Sequence, residues 1–563
     1  MYLRTTRRQN IDGSKVVYYQ LAENVWDGKK GCAVAKVVYS FGRADQLDRE
    51  ALQRLVRSIL RILSTEEAIA AEPDVRLIDS WPYGGLYVLD AVWRELEIHT
   101  VIAERMKKHR TRQPFERALF AMVANRALAP YSKRHCRRQW LGEEVFFPQQ
   151  EKLGLQHLYR AMDFLEAHKE EIEKAVYFRT ADLLNVDVDL IFYDTTSLHF
   201  EVDQEDEGET LGNVLGGRKK YPALRRYGKS KNGRDDVPQV VIGLAVTRDG
   251  LPVRSWVFPG QTADVTTIER VKADLKGWKL NRCVFVGDAG MNSEENRRTL
   301  ALGGGKYILA TKLRAGDEVT REVLTRPGRY QTVTDNLRVK EVIIGDGERR
   351  RRYIVCHNPH EAERQSLHRE KLLELLKAEL AGIKKPVVRG RHAKGTCVLL
   401  TSQRFSRYLR QTRRGVPKIS RAKIAAEAKL DGKWVVTSND DTLSAEDLAL
   451  GYKQLLRVEE CWRTMKSGLR TRPVFHWTAH RICAHVSLCV LALLLERVAE
   501  IRAGDTWRNI LDKLDTIKVV EYERGAARVR QTTEVRGTTA DVLRRLKIDA
   551  PPRFHAVNST QDA

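Results

Sequence analysis

Between residues 186 and 313 the hydropathy pattern keeps one order of elements: strand, strand, strand, helix, strand, helix, strand. The runs VDVDLIFYDTTSLHFE, QVVIGLAVTRDG and LPVRSWVFPG are apolar and β-branched, and the last two meet at Asp249-Gly250, a dipeptide suited to a hairpin turn. DVTTIERVKADLKG and SEENRRTLAL carry helical periodicity, while NRCVFVGDAG and GKYILATKL read as buried strands. Hairpin-linked strands followed by alternating helix and strand demand a mixed sheet covered by helices.

That order matches a ribonuclease-H-like arrangement, so the expected fold class is α/β with a mixed-sheet core. The core occupies residues 186–316 and resumes at 431–498 with the strand GKWVVTSN and a helix from Ser444. The intervening residues 317–430 contain strand-like, strongly basic runs such as GERRRRYIV and RFSRYLRQTRRGVPK and one helix at Leu367 to Leu380. They read as a β-rich insertion domain. Residues 1–45 predict a β meander around the turns IDGSK and DGKKG; residues 46–185 read as helical, a candidate DNA-binding domain. In the latter, YSKRHCRRQW sets Lys133, Arg134, His135, Arg137 and Arg138 between two aromatics, a candidate backbone-contacting patch. Residues 499–563 predict a helix, a hairpin at Thr516 to Val535 and a short helix.

The charge narrows the function. A net charge of +24 over 563 residues suits a chain that neutralises many phosphates, and nucleic acid is the default polyanion. Eight cysteines without a CxxC pair read as reduced thiols, and the Cys356-His357-x-x-His360 cluster lacks the second pair that a zinc site needs. No secretory leader is evident, and the uncharged run Ile482 to Leu495 is too short to span a bilayer; a soluble, cytoplasmic protein is expected. Gly303 to Gly305 lack a P-loop lysine, so no nucleotide cofactor is indicated. His476, His480 and His485 border an apolar helix and read as buried structural histidines.

Two carboxylates stand where chemistry is expected. Asp194 follows the apolar run Leu190 to Tyr193 and Asp288 follows Cys283 to Val286, so each is expected at the end of a strand, side by side. A third comes from GYKQLLRVEECWRTMKSGLRTRP, where Tyr452, Glu459 and Lys466 recur every seven residues. On one α-helix that spacing aligns the three on a single face, about 10 Å apart. Carboxylates of this kind can share hard divalent ions whose shells a substrate phosphate completes. Between the first two strands, the segment RKKYPALRRYGKSKNGRDD, with Lys229 and Lys231, reads as a basic DNA-tracking loop; the acidic EVDQEDEGE beside it reads as a solvated hairpin edge.

YDTTS, VGDAG and YKQLLRVEECWRTMK together resemble the DDE transposases of bacterial insertion sequences, in the branch marked by a Tyr-Arg-Glu-Lys signature. The likeness runs from about Val186 to Ala499. It implies that Asp194, Asp288 and Glu459 bind two Mg2+ ions, for which Mn2+ substitutes, and that Tyr452 and Lys466 contact terminal DNA phosphates. The signature arginine falls on Leu455; Arg457 points to another helical face, and Arg463, four residues past Glu459, is the favoured substitute. The resemblance further implies a homodimer that holds terminal inverted repeats and target DNA, cleaves and joins strands by a cut-and-paste route with hairpin ends, and is nucleoid-associated. A metal nuclease of the same fold and a catalytically silent DNA-binding regulator are the alternatives.

Overall fold

The computed structural model describes residues 1–9, 15–62, 75–184, 189–214, 217–278, 283–314, 319–383, 386–388, 391–525 and 527–559. Most of the IDGSK turn and the first residues of the expected core strand lie outside them. The chain divides into two compact units, one of residues 1–79, 521–530 and 556–563, the other of 80–520 and 531–555.

The first unit opens with the expected antiparallel meander, β1 (Tyr2–Gln9), β2 (Lys15–Asp27) and β3 (Cys32–Arg43), in which Tyr2 faces Ala22 and Asp27 faces Cys32. Arg7, Arg8, Lys15, Lys29, Lys30 and Lys36 on it are exposed. After α1 (Arg49–Ile62) comes β4 (Val75–Pro82), a strand inside a region that the sequence reads as wholly helical. Nearly all its residues are exposed, so no buried face leaves a period-two signal, and main-chain pairing alone makes it a strand.

In the second unit, α2 (Gly84–Glu95), α3 (Ile98–Lys108), α4 (Phe115–Leu128), α5 (Leu155–Ala167) and α6 (Lys169–Leu183) precede the sheet. The sheet strands are β5 (Leu190–His199), β8 (Gln239–Val246), β9 (Pro252–Pro259), β10 (Val284–Gly287) and β11 (Lys306–Thr311); β6 (Thr210–Val214) and β7 (Gly217–Tyr221) form a separate hairpin. Helices α7 (Ile268–Leu275) and α8 (Glu294–Ala301) alternate with β10 and β11 as expected. Strands β5, β8 and β9 pair antiparallel, whereas β10 lies parallel to both β5 and β11. Every residue of β8 is buried, which is why that run shows no alternation.

Residues 319–430 differ from the expected β-rich insertion. Strands β12 (Gln331–Thr334), β13 (Leu337–Ile344) and β14 (Arg351–His357) extend the main sheet through β15 (Lys433–Ser438), giving nine strands in the order β12-β13-β14-β15-β11-β10-β5-β8-β9. The remainder is chiefly helical: α9 (Pro359–Gly382), much longer than the sequence indicates, α10 (Lys394–Thr401) and α11 (Arg421–Ala428), with two short hairpins. Asn358 caps α9 by accepting a hydrogen bond from the Glu361 amide, and Pro359 follows at the first helical position.

The segment expected to be one catalytic helix is broken. It comprises α12 (Ala445–Lys453), a turn at Gln454 and Leu455, α13 (Leu456–Arg463) and a π-helical turn, Thr464–Gly468. Helix α14 (Ala479–Ala503) follows and ends on Gly504, whose φ of +64° provides the left-handed cap. It is long and apolar enough to cross a membrane by length and composition, but 94% of its most apolar window is buried inside this unit, so it acts as the core helix. His476, His480 and His485 are buried, and His485 Nε2 lies 3.0 Å from the Thr471 carbonyl. The expected C-terminal pattern follows as α15 (Trp507–Leu514), the strands β16 (Lys518–Arg524) and β17 (Ala527–Thr532), α16 (Gly537–Leu546) and β18 (Phe554–Ser559); most of each of these strands belongs to the first unit, whose second sheet has the order β18-β17-β16-β4.

Candidate active site

The sheet register sets two carboxylates side by side. Tyr193 of β5 pairs with Gly287 of parallel β10, so the next residues, Asp194 and Asp288, occupy equivalent positions on adjacent strands, which in a sheet run about 4.8 Å apart. Asp288 leaves its strand there, as expected. Asp194 does not: β5 continues to His199 because β8 pairs with its other edge, Asp194 opposite Leu244 and His199 opposite Gln239. Asp194 is half-buried and Asp288 exposed.

The helical break determines how the third element reaches them. Helix α12 packs on β10, β11 and β15, while α13 packs on β5 and β8, so the chain crosses the sheet at Gln454-Leu455. Gly451 permits the close approach, since a Cβ there would stand 3.3 Å from Ile308 Cδ1 and 3.6 Å from Leu190 Cδ1. At the end of α12, the Tyr452 phenol donates to Asp288 Oδ1 at 3.4 Å. Burial, then the Asp288 carboxylate, and further the Glu459 and Asp194 carboxylates, raise the Tyr452 pKa well above the ordinary phenol value. The phenol is therefore a hydrogen-bond donor to Asp288 that also feels the charge of the other two expected carboxylates.

Burial chiefly raises the Asp194 pKa, with the Asp288 and Asp264 carboxylates adding to it and the Lys231 ammonium opposing. Asp264 is a fourth carboxylate that the sequence did not single out, because it reads as the start of a helix. It begins a short 3-10 turn after β9; Thr195 Oγ1 donates to its Oδ1, and Lys231 Nζ approaches its Oδ2 at 2.9 Å. Lys231 Nζ also donates to Thr195 Oγ1 at 2.7 Å and to the Thr195 carbonyl at 2.8 Å, and lies 3.8 Å from Asp194 Oδ1.

The other expected contacts divide. Lys466 Nζ donates to Asn232 Oδ1 at 3.4 Å and its pKa is lowered by burial, then by Arg472, against the opposing pull of Asp194. Arg463 and Lys229 are exposed. Arg457 is engaged with Glu460 at 3.0 Å. Leu455, at the signature arginine position, is 7% exposed and packs into the main core. The acidic segment before the basic loop is not a mere solvated edge: Asp206 binds Arg225 at 2.6 Å, Glu205 reaches Arg226 at 3.4 Å, and Glu201 reaches Arg234 at 3.4 Å. The patch at residues 131–140 also shrinks, because Lys133 is buried and Arg137 donates to the Leu153 carbonyl, leaving Arg134 and Arg138 exposed.

Residues 193–495 match a sequence family described as Transposase DDE domain, more than half of the chain. The chain belongs to the DDE transposase family. Residues 3–72 match a second family, the IS1634 family transposase N-terminal domain, which makes this an insertion-sequence DDE transposase. No curated protein sequence matches it. Among solved structures it is similar to piggyBac transposase, in a cryo-EM synaptic complex with hairpin DNA, at 10% identity over 77% of this chain and 78% of that one, with a TM-score of 0.33. The family defines the transposase as such; the Tyr-Arg-Glu-Lys branch rests on the sequence signature alone, in which Leu455 departs.

Among the described residues, no group of three or more His, Cys, Asp or Glu side chains stands close enough together to hold a metal ion. The donor chemistry nevertheless fits a hard divalent cation. All the candidate ligands are carboxylate oxygens; burial chiefly raises the Asp194 pKa and the Asp288 and Asp264 carboxylates add to it, and a bound cation would offset that negative charge.

Proposed function

We propose that this transposase binds the terminal inverted repeats of its own element, cleaves the DNA at Asp194, Asp288 and Glu459 in a divalent-metal-dependent reaction, and transfers the freed 3′ ends to target DNA. The observation that carries the proposal is the register that sets Asp194 and Asp288 side by side on β5 and β10, with the Tyr452 phenol of the signature segment hydrogen-bonded to Asp288, in a chain of the DDE family. The strand order β9-β8-β5-β10-β11, three antiparallel strands followed by two parallel ones, supports a ribonuclease-H-like core within the larger sheet.

In this reading Asp194, Asp288 and Glu459 hold two Mg2+ ions, with Mn2+ a substitute. When bound, such ions supply Lewis acidity toward phosphoryl oxygens and activate the attacking oxygen. The chain's own groups do the rest. The Tyr452 phenol, protonated throughout the working pH range, donates to a phosphate oxygen beside Asp288. Lys466 and the exposed Arg463 neutralise phosphate charge along the crossing segment, and Lys229 extends this along the basic loop. Arg457 contributes only on release from Glu460. Assembly as a homodimer on two element ends, acting on nucleoid DNA in the bacterial cytoplasm, belongs to the same proposal.

The test uses DNA carrying the gene's own flanks and Mg2+, comparing wild type with Glu459→Gln. Cutting and joining by wild type alone, with equal end binding by both proteins, is expected. Cleavage retained by Glu459→Gln would defeat the site, cutting without joining would indicate a nuclease, and binding without any reaction would indicate a regulator.

A further inference from the structure

Lys231 stands where a metal-binding carboxylate should have a clear face. An ammonium has three donors, and its three hydrogen-bond partners here are Thr195 Oγ1, the Thr195 carbonyl and Asp264 Oδ2, at 2.7, 2.8 and 2.9 Å. Thr195 Oγ1 in turn donates to Asp264 Oδ1, closing a ring among the three residues. The ammonium also lies 3.8 Å from Asp194 Oδ1, near enough to offset the carboxylate's charge without donating to it. Two cations cannot share that position at full strength.

The residue is held there by its backbone. The Lys231 amide donates to Ser197 Oγ at 3.2 Å, and the Asn232 side chain donates to the Ser197 carbonyl at 3.0 Å, so the loop is fastened to β5 three residues beyond Asp194. The loop stem is equally fixed: a Cβ on Gly228 would stand 2.1 Å from the Gly260 carbonyl oxygen. The side chain beyond this anchor is a flexible four-carbon stem ending in an ammonium that is partly exposed. The ammonium can therefore swing away while the loop stays docked. The same loop is joined to the signature segment through Asn232 and Lys466, so a DNA strand at Lys466 would bring its phosphates beside Lys231.

We propose that Lys231 is a built-in counter-cation that competes with a divalent metal ion for Asp194, and that a DNA phosphodiester releases it by offering the ammonium an alternative partner. This rests on the assignment of Asp194 as a metal ligand in a DNA-cleaving site. Metal and DNA then bind with positive coupling, and the coupling is reciprocal. The protein without DNA then loads its metal less readily, which restrains cleavage chemistry until an end is engaged. Asp264 serves here as the positioning carboxylate that parks the ammonium.

The experiment measures Mn2+ affinity of the full chain by EPR of free Mn2+, with and without a duplex carrying the gene's own flanks, using the duplex alone as the blank. For wild type, DNA should tighten Mn2+ binding roughly three- to tenfold, the size expected from one partly exposed charge-assisted contact. Lys231→Met should bind Mn2+ tighter by a similar factor without DNA and gain little more when DNA is added. Ser197→Ala keeps the lysine charge but frees the loop, and should shift affinity in the same direction by a smaller factor. Simple relief of charge repulsion predicts an effect for Lys231→Met and none for Ser197→Ala. Unchanged or weaker Mn2+ binding by Lys231→Met, or DNA coupling equal to wild type, overturns the proposal. If Asp194→Asn leaves Mn2+ binding intact, the metal-site assignment itself fails, whatever Lys231 does.

Discussion

Restoring the signature arginine should damage this protein. Leu455 is 7% exposed, at the turn where the chain crosses the sheet, and packs into the main core. Leu455→Arg forfeits burial of a leucine, about 2–3 kcal/mol, and takes a guanidinium into a buried apolar site, at a further cost of about 1–3 kcal/mol. A long side chain recovers some of this by threading its charge toward solvent, so a net loss of about 3–5 kcal/mol is expected. In a unit of this size, with an unfolding entropy of about 1 kcal/mol/K, that corresponds to a fall of roughly 3–5 °C in the thermal midpoint. The neighbouring Leu456 is 50% exposed, so Leu456→Arg adds the same charge one residue away and should stay within about 0.5 kcal/mol of wild type. Differential scanning calorimetry of the three proteins, with cleavage measured alongside, checks both. Equal midpoints for Leu455→Arg and wild type, accompanied by faster cleavage, would refute the core role of Leu455 and return the arginine function to that position.

Tyr452→Phe removes only the hydroxyl that donates to Asp288 and should slow cleavage about 10- to 100-fold, with the circular dichroism spectrum unchanged; an unaltered rate removes Tyr452 from the site. Lys133 is buried, its Nζ has no hydrogen-bond partner among the described residues, and burial chiefly depresses its pKa from 10.5 to about 7. Between pH 7 and 10.5 the unfolded state therefore binds more protons, and Lys133 makes stability rise with pH, by up to about 1.4 kcal/mol per unit. Lys133→Met should remove that slope and raise the thermal midpoint at pH 7. Parallel pH profiles for the two proteins contradict the burial argument.

The sequence makes the central strands and their carboxylates legible because β5 and β10 are short apolar runs that lead directly into Asp194 and Asp288. It does not reveal that β5 continues beyond Asp194, since the extension to His199 is held by pairing with β8 and not by its own composition. Nor does it reveal Asp264 at the site, or that Lys231, expected in the basic DNA-tracking loop, lies against Asp194 and Asp264. They are 33 residues apart and belong to no motif, and only the fold carries the loop before β8 to the turn after β9. The acidic segment at residues 201–209 is misread for a related reason: its pairing with Arg225, Arg226 and Arg234 is tertiary, and much of the basic loop's charge is already balanced inside the chain.

The seven-residue spacing of Tyr452, Glu459 and Lys466 selects a segment that is not one uninterrupted α-helix. One uninterrupted helix would keep the three in a line; here α12 packs on β11 and β15, α13 packs on β5 and β8, and a turn separates them. That turn, at Gln454-Leu455, contains neither glycine nor proline, so nothing local announces it. With Tyr452 ending one helix, its hydroxyl meets Asp288, and with Glu459 in the next, its carboxylate is still near enough to raise the Tyr452 pKa. Lys466 then lies on the π-helical turn beside Asn232, at the edge of the basic loop. One sequence motif therefore reaches Asp288 through Tyr452 and the basic loop through Lys466, and Leu455 is buried at the turn between the two helices because it packs into the core.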